Sequence, residues 1–447
     1  VGFVVWGALS AALAQNRWIA LDSWGIGLSS LVLFLSAREL APKLRWPVLS
    51  GLLAAAVAGA ALGLAQAYGA DWVWMSDTRS PGGTFGNRNF LAHVSVLAIP
   101  PLSMIVLRTR RLHLLLPALL GLGALAAIVV LTRSRAAWLG GGGALMAGAV
   151  VLFTLRRSLS LPGGRTAGLA VVVTIAVAVA VLLPNRLRWT SEAPYTETLS
   201  RLAEYGEGSG RGRLIQYRNS LDLVQEAPLL GVGAGNWFVH YPKVTREGDP
   251  SFAAHLRIPT NPWPSSDWVA FLTERGALGA LLLLMAGAMA CGRALAAGRG
   301  GTPEDAQAAT ALIGLLVAAL VAGAFDAVLL LAAPSYLVWS AAGLLLPDPQ
   351  GSPRWTTGPS AHALLRAVAL VLVLVLATQA GGRSLAVLVA GDGEDQAELA
   401  RAVRLTPGEY RLRILLAEQG DCAAAQRAAA LLPHHEAVGK MASACRR

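Results

Sequence analysis

The sequence predicts an all-α polytopic membrane protein with about 11 transmembrane helices, one large polar loop and a small helical C-terminal tail. Three observations carry this expectation. Only 14% of the 447 residues are charged and 55% are hydrophobic, against a charged share of roughly 25% in soluble domains. Apolar runs recur at close to the length of about 20 residues that a bilayer-spanning helix needs. The extended polar stretches are 185–266 and 392–447.

The apolar segments run 1–14, 18–37, 47–68, 89–107, 112–132, 136–155 and 166–184, then 267–291, 305–325, 327–347 and 363–381. Residues 1–184 therefore hold the first seven transmembrane helices and 185–266 a loop with an amphipathic helix. Residues 267–391 hold the remaining four helices, and 392–447 form the tail. Val1 already lies in the run VGFVVWGALSAALA, so the chain is expected to begin inside its first helix or to lack an earlier one. A basic start, short apolar core and cleavage site, the marks of a signal peptide, are not found.

The net charge of +11 fits loop charges of a membrane protein better than nucleic acid. One set of short loops holds Arg38, Lys43 and Arg45, then Arg108, Arg110 and Arg111, then Arg156, Arg157 and Arg165, then Arg293 and Arg299, then Arg354. The alternate set holds Arg17, then Arg79 and Arg88, then Arg133 and Arg135. The richer set is expected in the cytoplasm. In a bacterial inner membrane this places GTFGNRN, TRSR, the long loop and the tail in the periplasm. Cys422 and Cys445 then lie in an oxidising compartment and can pair, whereas Cys291 stays a buried, reduced thiol.

The tail stretches LRILLAEQG and CAAAQRAAALLP read as a helical hairpin similar to a tetratricopeptide unit. It is degenerate, because Pro407 and Pro433 lie closer than the family period of about 34 residues. One such unit cannot bury its faces alone, so it should dock on the membrane domain or on a partner.

In GTFGNRN, Asn87 or Asn89 can cap the following helix, whose N-terminus offers free N–H groups and a positive dipole end. Arg88 adds a full charge. The segment suits an anion, or it is a capped helix with an interfacial arginine. TRSR repeats the device: Ser134 can cap the next helix, with Arg133 and Arg135 beside it. These arginines bind an anion or snorkel to the interface. In RLIQYRNSLDLVQEAPLLGVGAGNW, Leu214, Tyr217, Leu221 and Val224 share one helical face. That face would rest on the membrane or on other helices, with Arg211 and Arg213 at the helix start and Arg218 nearer its polar side.

Asp267 and Glu274 bracket the start of the eighth segment, and Asp326 lies at a later turn. Ionisable groups at membrane depth are costly, so each carries a functional expectation. Helix-end charge for Asp267 and ion pairing for Glu274 are the plainer readings. His240 and His255 read as loop histidines. No GxxxxGK[ST] loop, HExxH pair, zinc-spaced Cys/His cluster or Asp-x-Asp pair is found. Any transfer chemistry is thus expected to be independent of metal and cofactor, with arginines offsetting the leaving group's charge.

The stretches GTFGNRNFLAH, LTRSRAAWLG, RLIQYRNSLDLVQEAPLLGVGAGNW and DWVAFLTERGALG, in this order over roughly residues 47–347, resemble the O-antigen ligase/polymerase superfamily. That superfamily includes oligosaccharyltransferases that glycosylate proteins. The resemblance implies a GT-C type helical fold, a periplasmic active site and a glycan donor carried on undecaprenyl diphosphate. By motif position it implies that Arg135 and Arg213 bind the diphosphate, helped by Arg88, Arg133 and Arg211. The acceptor would be lipid A core, a growing polysaccharide or a protein side chain. The chain departs from the family at Ser265 and Ser266, where a His-Asn pair is usual. Serine is no general base at neutral pH, so Asp267, His255 or Glu274 should replace the histidine. Two other classes stay open: a transporter of lipid-linked sugars, which would favour internal repeats, and a non-catalytic scaffold, which the missing histidine favours.

Overall fold

The computed structural model describes residues 1–40, 42–72, 79–159, 162–202, 204, 206, 208–246, 249, 262–347 and 359–445. Its helices in chain order are α1 (Gly2–Ala12), α2 (Arg17–Glu39), α3 (Pro42–Ala67), α4 (Arg88–Arg108), α5 (Leu112–Leu131), α6 (Arg135–Thr154), α7 (Gly163–Leu182), α8 (Pro194–Ser200) and α9 (Gly208–Glu226). They continue with α10 (Trp237–His240), α11 (Asp267–Gly300), α12 (Pro303–Phe325), α13 (Ala332–Leu345), α14 (Pro359–Ala390), α15 (Gln396–Leu405), α16 (Tyr410–Glu418), α17 (Cys422–Leu431) and α18 (Glu436–Ala444). No strand occurs among the described residues.

The fold is all-helical and polytopic. Among the described residues nine helices are long and apolar enough to cross a membrane: α2 to α7, α11, α12 and the 366–390 part of α14. The first and tenth expected segments are helical but short, with 11 residues in α1 and 14 in α13. At a rise of about 1.5 Å per residue α13 does not span a hydrocarbon core of about 30 Å unaided. The last segment runs further than its apolar core, because GGRSLAVLVA continues α14 to Ala390.

The chain divides into two compact units. The first gathers residues 1–29, 205–283 and 355–447; the second gathers 30–204 and 284–354.

In the second unit α4 is the central helix, with Leu91, Leu97 and Val106 fully enclosed, and it packs on α3, α5, α6, α12 and α13. Small residues let α6 approach α12: a Cβ on Gly140 would stand 3.0 Å from the Ala318 carbonyl and the Ala322 methyl. Close backbone approach of this kind is how helices associate where hydrophobic driving force is absent. The GTFG segment forms a 3-10 turn over Gly83–Phe85. Gly83 has φ +50, and a Cβ there would lie 3.0 Å from the Gly59 carbonyl of α3, so only glycine fits. Gln66 fastens the turn, its Oε1 accepting from the N–H groups of Gly82 at 2.9 Å and Gly83 at 3.1 Å.

In the first unit the tail forms four short helices and packs on the polar loop. Leu223, Trp237, Phe238 and Tyr241 of the loop share one core with Tyr410, Ile414, Leu432 and Val438 of the tail. Cys422 and Cys445 are disulfide-bonded, with Cα atoms 5.3 Å apart. The expected amphipathic helix is present as α9, and its polar side faces the protein interior. Leu214 and Leu221 are exposed, while Gln216, Asn219, Ser220 and Leu223 are buried. The reason is a hydrogen-bonded interior. Ser220 Oγ accepts from the Trp237 indole at 2.9 Å, and Asp249 accepts from Asn219 at 2.9 Å and from Tyr241 at 2.6 Å. Satisfied in this way, Asn219 and Ser220 can be buried at little cost, whereas the Gln216 Nε2 is buried with no acceptor.

Candidate active site

The second unit brings together Arg88 and Arg133 from two different motifs. Asn87 caps α4, its Oδ1 accepting from Asn89 N–H at 2.9 Å, which fixes Arg88 at the first helical position. Arg133 lies in the turn before α6, in the left-handed region at φ 53. That conformation is strained for a residue with a long side chain. It is held by an ion pair from Nη2 to Glu197 at 3.1 Å and a hydrogen bond from Nε to Thr198 at 2.8 Å. Both guanidinium groups stand 4.9 Å from the centre of the same indole, Trp189.

This cluster is rich in donors. Among the described residues the Arg88 guanidinium has neither a hydrogen-bond acceptor nor a carboxylate partner, and its charged neighbours are Arg133 and Arg79. The Trp189 indole N–H is buried with no acceptor. Glu197 is held ionised below its usual range, first by a hydrogen bond from Ser191 and then by Arg201 and Arg133. One shared carboxylate does not balance these cations, so an acceptor-rich anion would complete the set.

Arg135 begins α6, and its Nη1 donates to the carbonyls of Arg201 at 3.2 Å and Glu204 at 3.1 Å. Ser134 holds the cap position, but its hydroxyl makes no hydrogen bond to the first turn; the left-handed turn at Arg133 leads the chain into the helix instead. Asn89 and Asp326 meet: Asn89 Nδ2 donates to Asp326 Oδ2 at 3.1 Å. His93, one helical turn further and fully enclosed, places Nε2 3.6 Å from the same oxygen. Asp326 also accepts from Ala327 N–H at 2.9 Å. These groups tie the start of α4 to the turn between α12 and α13, and so hold Arg88's helix in place.

The first unit contains Arg211, Arg213, Asp267 and Glu274. Arg211 is exposed and Arg213 half-buried near the start of α9. Asp267 opens α11 and is fully enclosed. Position 265 is pinned to α9: its N–H donates to Gln216 Oε1 at 2.7 Å and its carbonyl accepts from the Tyr217 hydroxyl at 2.5 Å. His255 lies outside the described residues.

Glu274 sits where α11 breaks. Gly276 has φ 68 and interrupts the helix, and a Cβ there would stand 2.0 Å from the Leu229 carbonyl. The LLGVGAG loop enters this break, with Val232 N–H donating to Thr273 O at 2.8 Å and Gly233 N–H to Glu274 O at 3.1 Å. The Glu274 carboxylate accepts from Gly235 N–H at 2.8 Å and from Arg275 at 3.2 Å. Arg275 also donates to Ser23 Oγ at 2.8 Å and stacks near Phe3 and Phe271. Each charge in this buried pair has its counter-charge, and the two motifs APLLGVGAGNW and DWVAFLTERG form one packed element.

Residues 118–284 match the family model described as O-antigen ligase. Over this stretch the chain is similar to the O-antigen ligase family. The match contains Arg133, Ser134, Arg135, Trp189, Arg211, Arg213, Asp267 and Glu274, while Arg88 and the C-terminal tail lie outside it. None of the curated proteins compared with the chain matches it. This match supports membrane glycosyltransferase activity of the ligase or polymerase type in a multi-pass membrane protein.

Sequence reasoning missed Trp189 and His93. Trp189 stood in NRLRW, a basic stretch whose alternating charge and aromatic residue was its signal. His93 closes GTFGNRNFLAH at helical spacing from Asn89, which places both on one face of α4.

Proposed function

We propose that the chain is a metal-independent inverting glycosyltransferase of the bacterial inner membrane. It moves a glycan from undecaprenyl diphosphate to an acceptor at the periplasmic face, in the manner of an O-antigen ligase, on a GT-C type scaffold. The observation that carries this reading is the donor-only cluster of Arg88, Trp189 and Arg133. A diphosphate supplies the acceptor oxygens that Arg88 and the Trp189 indole N–H lack, and Arg135 stands two residues from Arg133. By resemblance Arg213 and Arg211 are further candidates for binding a diphosphate.

In the reaction the acceptor hydroxyl attacks the anomeric carbon while the bond from that carbon to the diphosphate oxygen breaks. The electron pair leaves with the diphosphate, whose growing negative charge the arginines stabilise. The hydroxyl proton passes to a base. Asp267 or His255 takes that role in place of the family histidine.

The test uses purified protein, undecaprenyl-diphosphate-linked glycan and a panel of lipid A core, polysaccharide and peptide acceptors without added metal. Released undecaprenyl diphosphate is the readout. Wild-type protein should release it, and Arg133→Ala should reduce release by a factor on the order of 100. Donor binding without release for every acceptor would favour a scaffold.

A further inference from the structure

The segment that enters α11 is held by two neighbouring side chains of α9. Gln216 Oε1 accepts from the Ser265 N–H at 2.7 Å, and the Tyr217 hydroxyl donates to the Ser265 carbonyl at 2.5 Å. We infer that Gln216 and Tyr217 are positioning residues for glycosyl transfer: by clamping Ser265 they fix Asp267 as the group that takes the acceptor proton. The inference rests on the proposed function and deepens it by choosing Asp267 as the base.

Both backbone polar groups of Ser265 are engaged by this clamp, and its side chain takes part in neither bond. The position acts through its backbone, which any residue but proline supplies. A capped helix start follows at once. Ser266 Oγ accepts from Val269 N–H at 3.4 Å, and the Ser266 carbonyl accepts from Ala270 N–H at 3.1 Å. Asp267 is then the first helical residue. It is fully enclosed, so its carboxylate lies where the backbone of residues 265 and 266 puts it. A displacement of about 1 Å at a reacting group costs a factor of about 100 in rate.

Gln216 carries a cost that packing alone does not explain. It is 1% exposed, and with Oε1 engaged by Ser265 its Nε2 is buried with no acceptor. An orphaned donor of this kind costs about 1–3 kcal/mol. Leucine, of similar size, avoids that cost but cannot hold the Ser265 N–H. Helix α9 also joins the clamp to the donor side of the reaction. Arg213, a candidate for binding the diphosphate, precedes Gln216 and Tyr217 by three and four residues, the spacing that places side chains on one side of a helix. A donor held at Arg213 thus settles the same helix that sets the base.

The test measures steady-state transfer and thermal melting of the purified full chain, with undecaprenyl-diphosphate-linked glycan and the acceptor panel. Tyr217→Phe and Gln216→Leu should each lower kcat on the order of tenfold, with the donor KM and the melting temperature near those of wild type. Melting is preserved because phenylalanine keeps the ring and leucine exchanges one orphaned group, Nε2, for another, the Ser265 N–H. Ser220→Ala is the control on the same buried face. It loses the bond to Trp237, so it should melt earlier at unchanged kcat. Asp267→Asn should lower kcat on the order of 100-fold. Adding Tyr217→Phe to it should change nothing further, because the clamp has no effect once the base is gone.

A raised donor KM at unchanged kcat would make Gln216 and Tyr217 donor-binding residues, and a melting loss that accounts for the fall in kcat would make them structural. Either result overturns the inference. So does a full Tyr217→Phe effect in the Asp267→Asn background, or a wild-type kcat in Asp267→Asn, and both leave the proposed transferase standing. No release by wild type with any acceptor overturns the proposed function and the inference together.

Discussion

The two units contain buried or half-buried arginines in opposite electrostatic states. In the first, Arg275 is paired with Glu274, bonded to Ser23 and flanked by Phe3 and Phe271, so the network is closed. In the second, Arg88 and Arg133 share one indole, and Glu197 is the carboxylate paired with Arg133. Burying a charge is costly unless a partner compensates it. The closed network fixes the break in α11, whereas the open one is the site proposed for an anion. Proximity of charged residues to a motif does not distinguish these cases; their counter-charges do.

The comparison can be broken most forcefully at Glu274. Glu274→Ala leaves Arg275 buried without its partner, which should cost about 3–5 kcal/mol and lower the melting temperature of the purified protein sharply. The double variant Glu274→Gln with Arg275→Met should recover much of that loss. A Glu274→Gln protein that melts normally but transfers no glycan would instead make this network catalytic.

Arg133→Ala comes next. It should reduce transfer by about 100-fold, some 2.7 kcal/mol, with a melting temperature close to that of wild type. A large melting shift with intact donor binding would class the second unit's arginines with the first unit's.

A pH titration sharpens the contrast further. His240 of the loop and His435 of the tail each have a pKa lowered to about 4, by burial first. Lys243 and His434 add to this at His240, whereas Glu226 opposes it; at His435 the carbonyl of Phe238 opposes it. The folded state therefore binds fewer protons than the unfolded one between about 4 and 6.5. The stability of this packing is full above pH 6.5 and is lost as pH falls toward 4. Hydrogen exchange of residues 410–432 should quicken over that window, and a flat profile would count against it.

The smallest expected difference lies between two helix caps. Asn87→Ala should cost about 1 kcal/mol, because its side chain caps α4. Ser134→Ala should cost less than about 0.5 kcal/mol, because its hydroxyl caps nothing. Equal melting shifts would show that Ser134 caps α6 in solution.

The sequence by itself determined the helical membrane class, the positions of the apolar segments and the residue types that gather at GTFGNRN and TRSR. These are properties of composition and local periodicity, and each is set within a few turns of chain. Tertiary structure alone decided which charges are neutralised. Glu274 and Asp326 looked alike in sequence. Glu274 closes onto its own neighbour and a distant glycine, while Asp326 anchors Asn89. Helix α9 shows the same limit: the apolar face with Leu214 and Leu221 was legible in sequence, but the enclosure of its polar side, where Trp237, Tyr241 and Asp249 supply hydrogen bonds, was not. Trp189 gained its role from two arginines contributed by separate motifs. Burial and counter-charge are long-range properties of the folded chain, so no local pattern of residues can specify them.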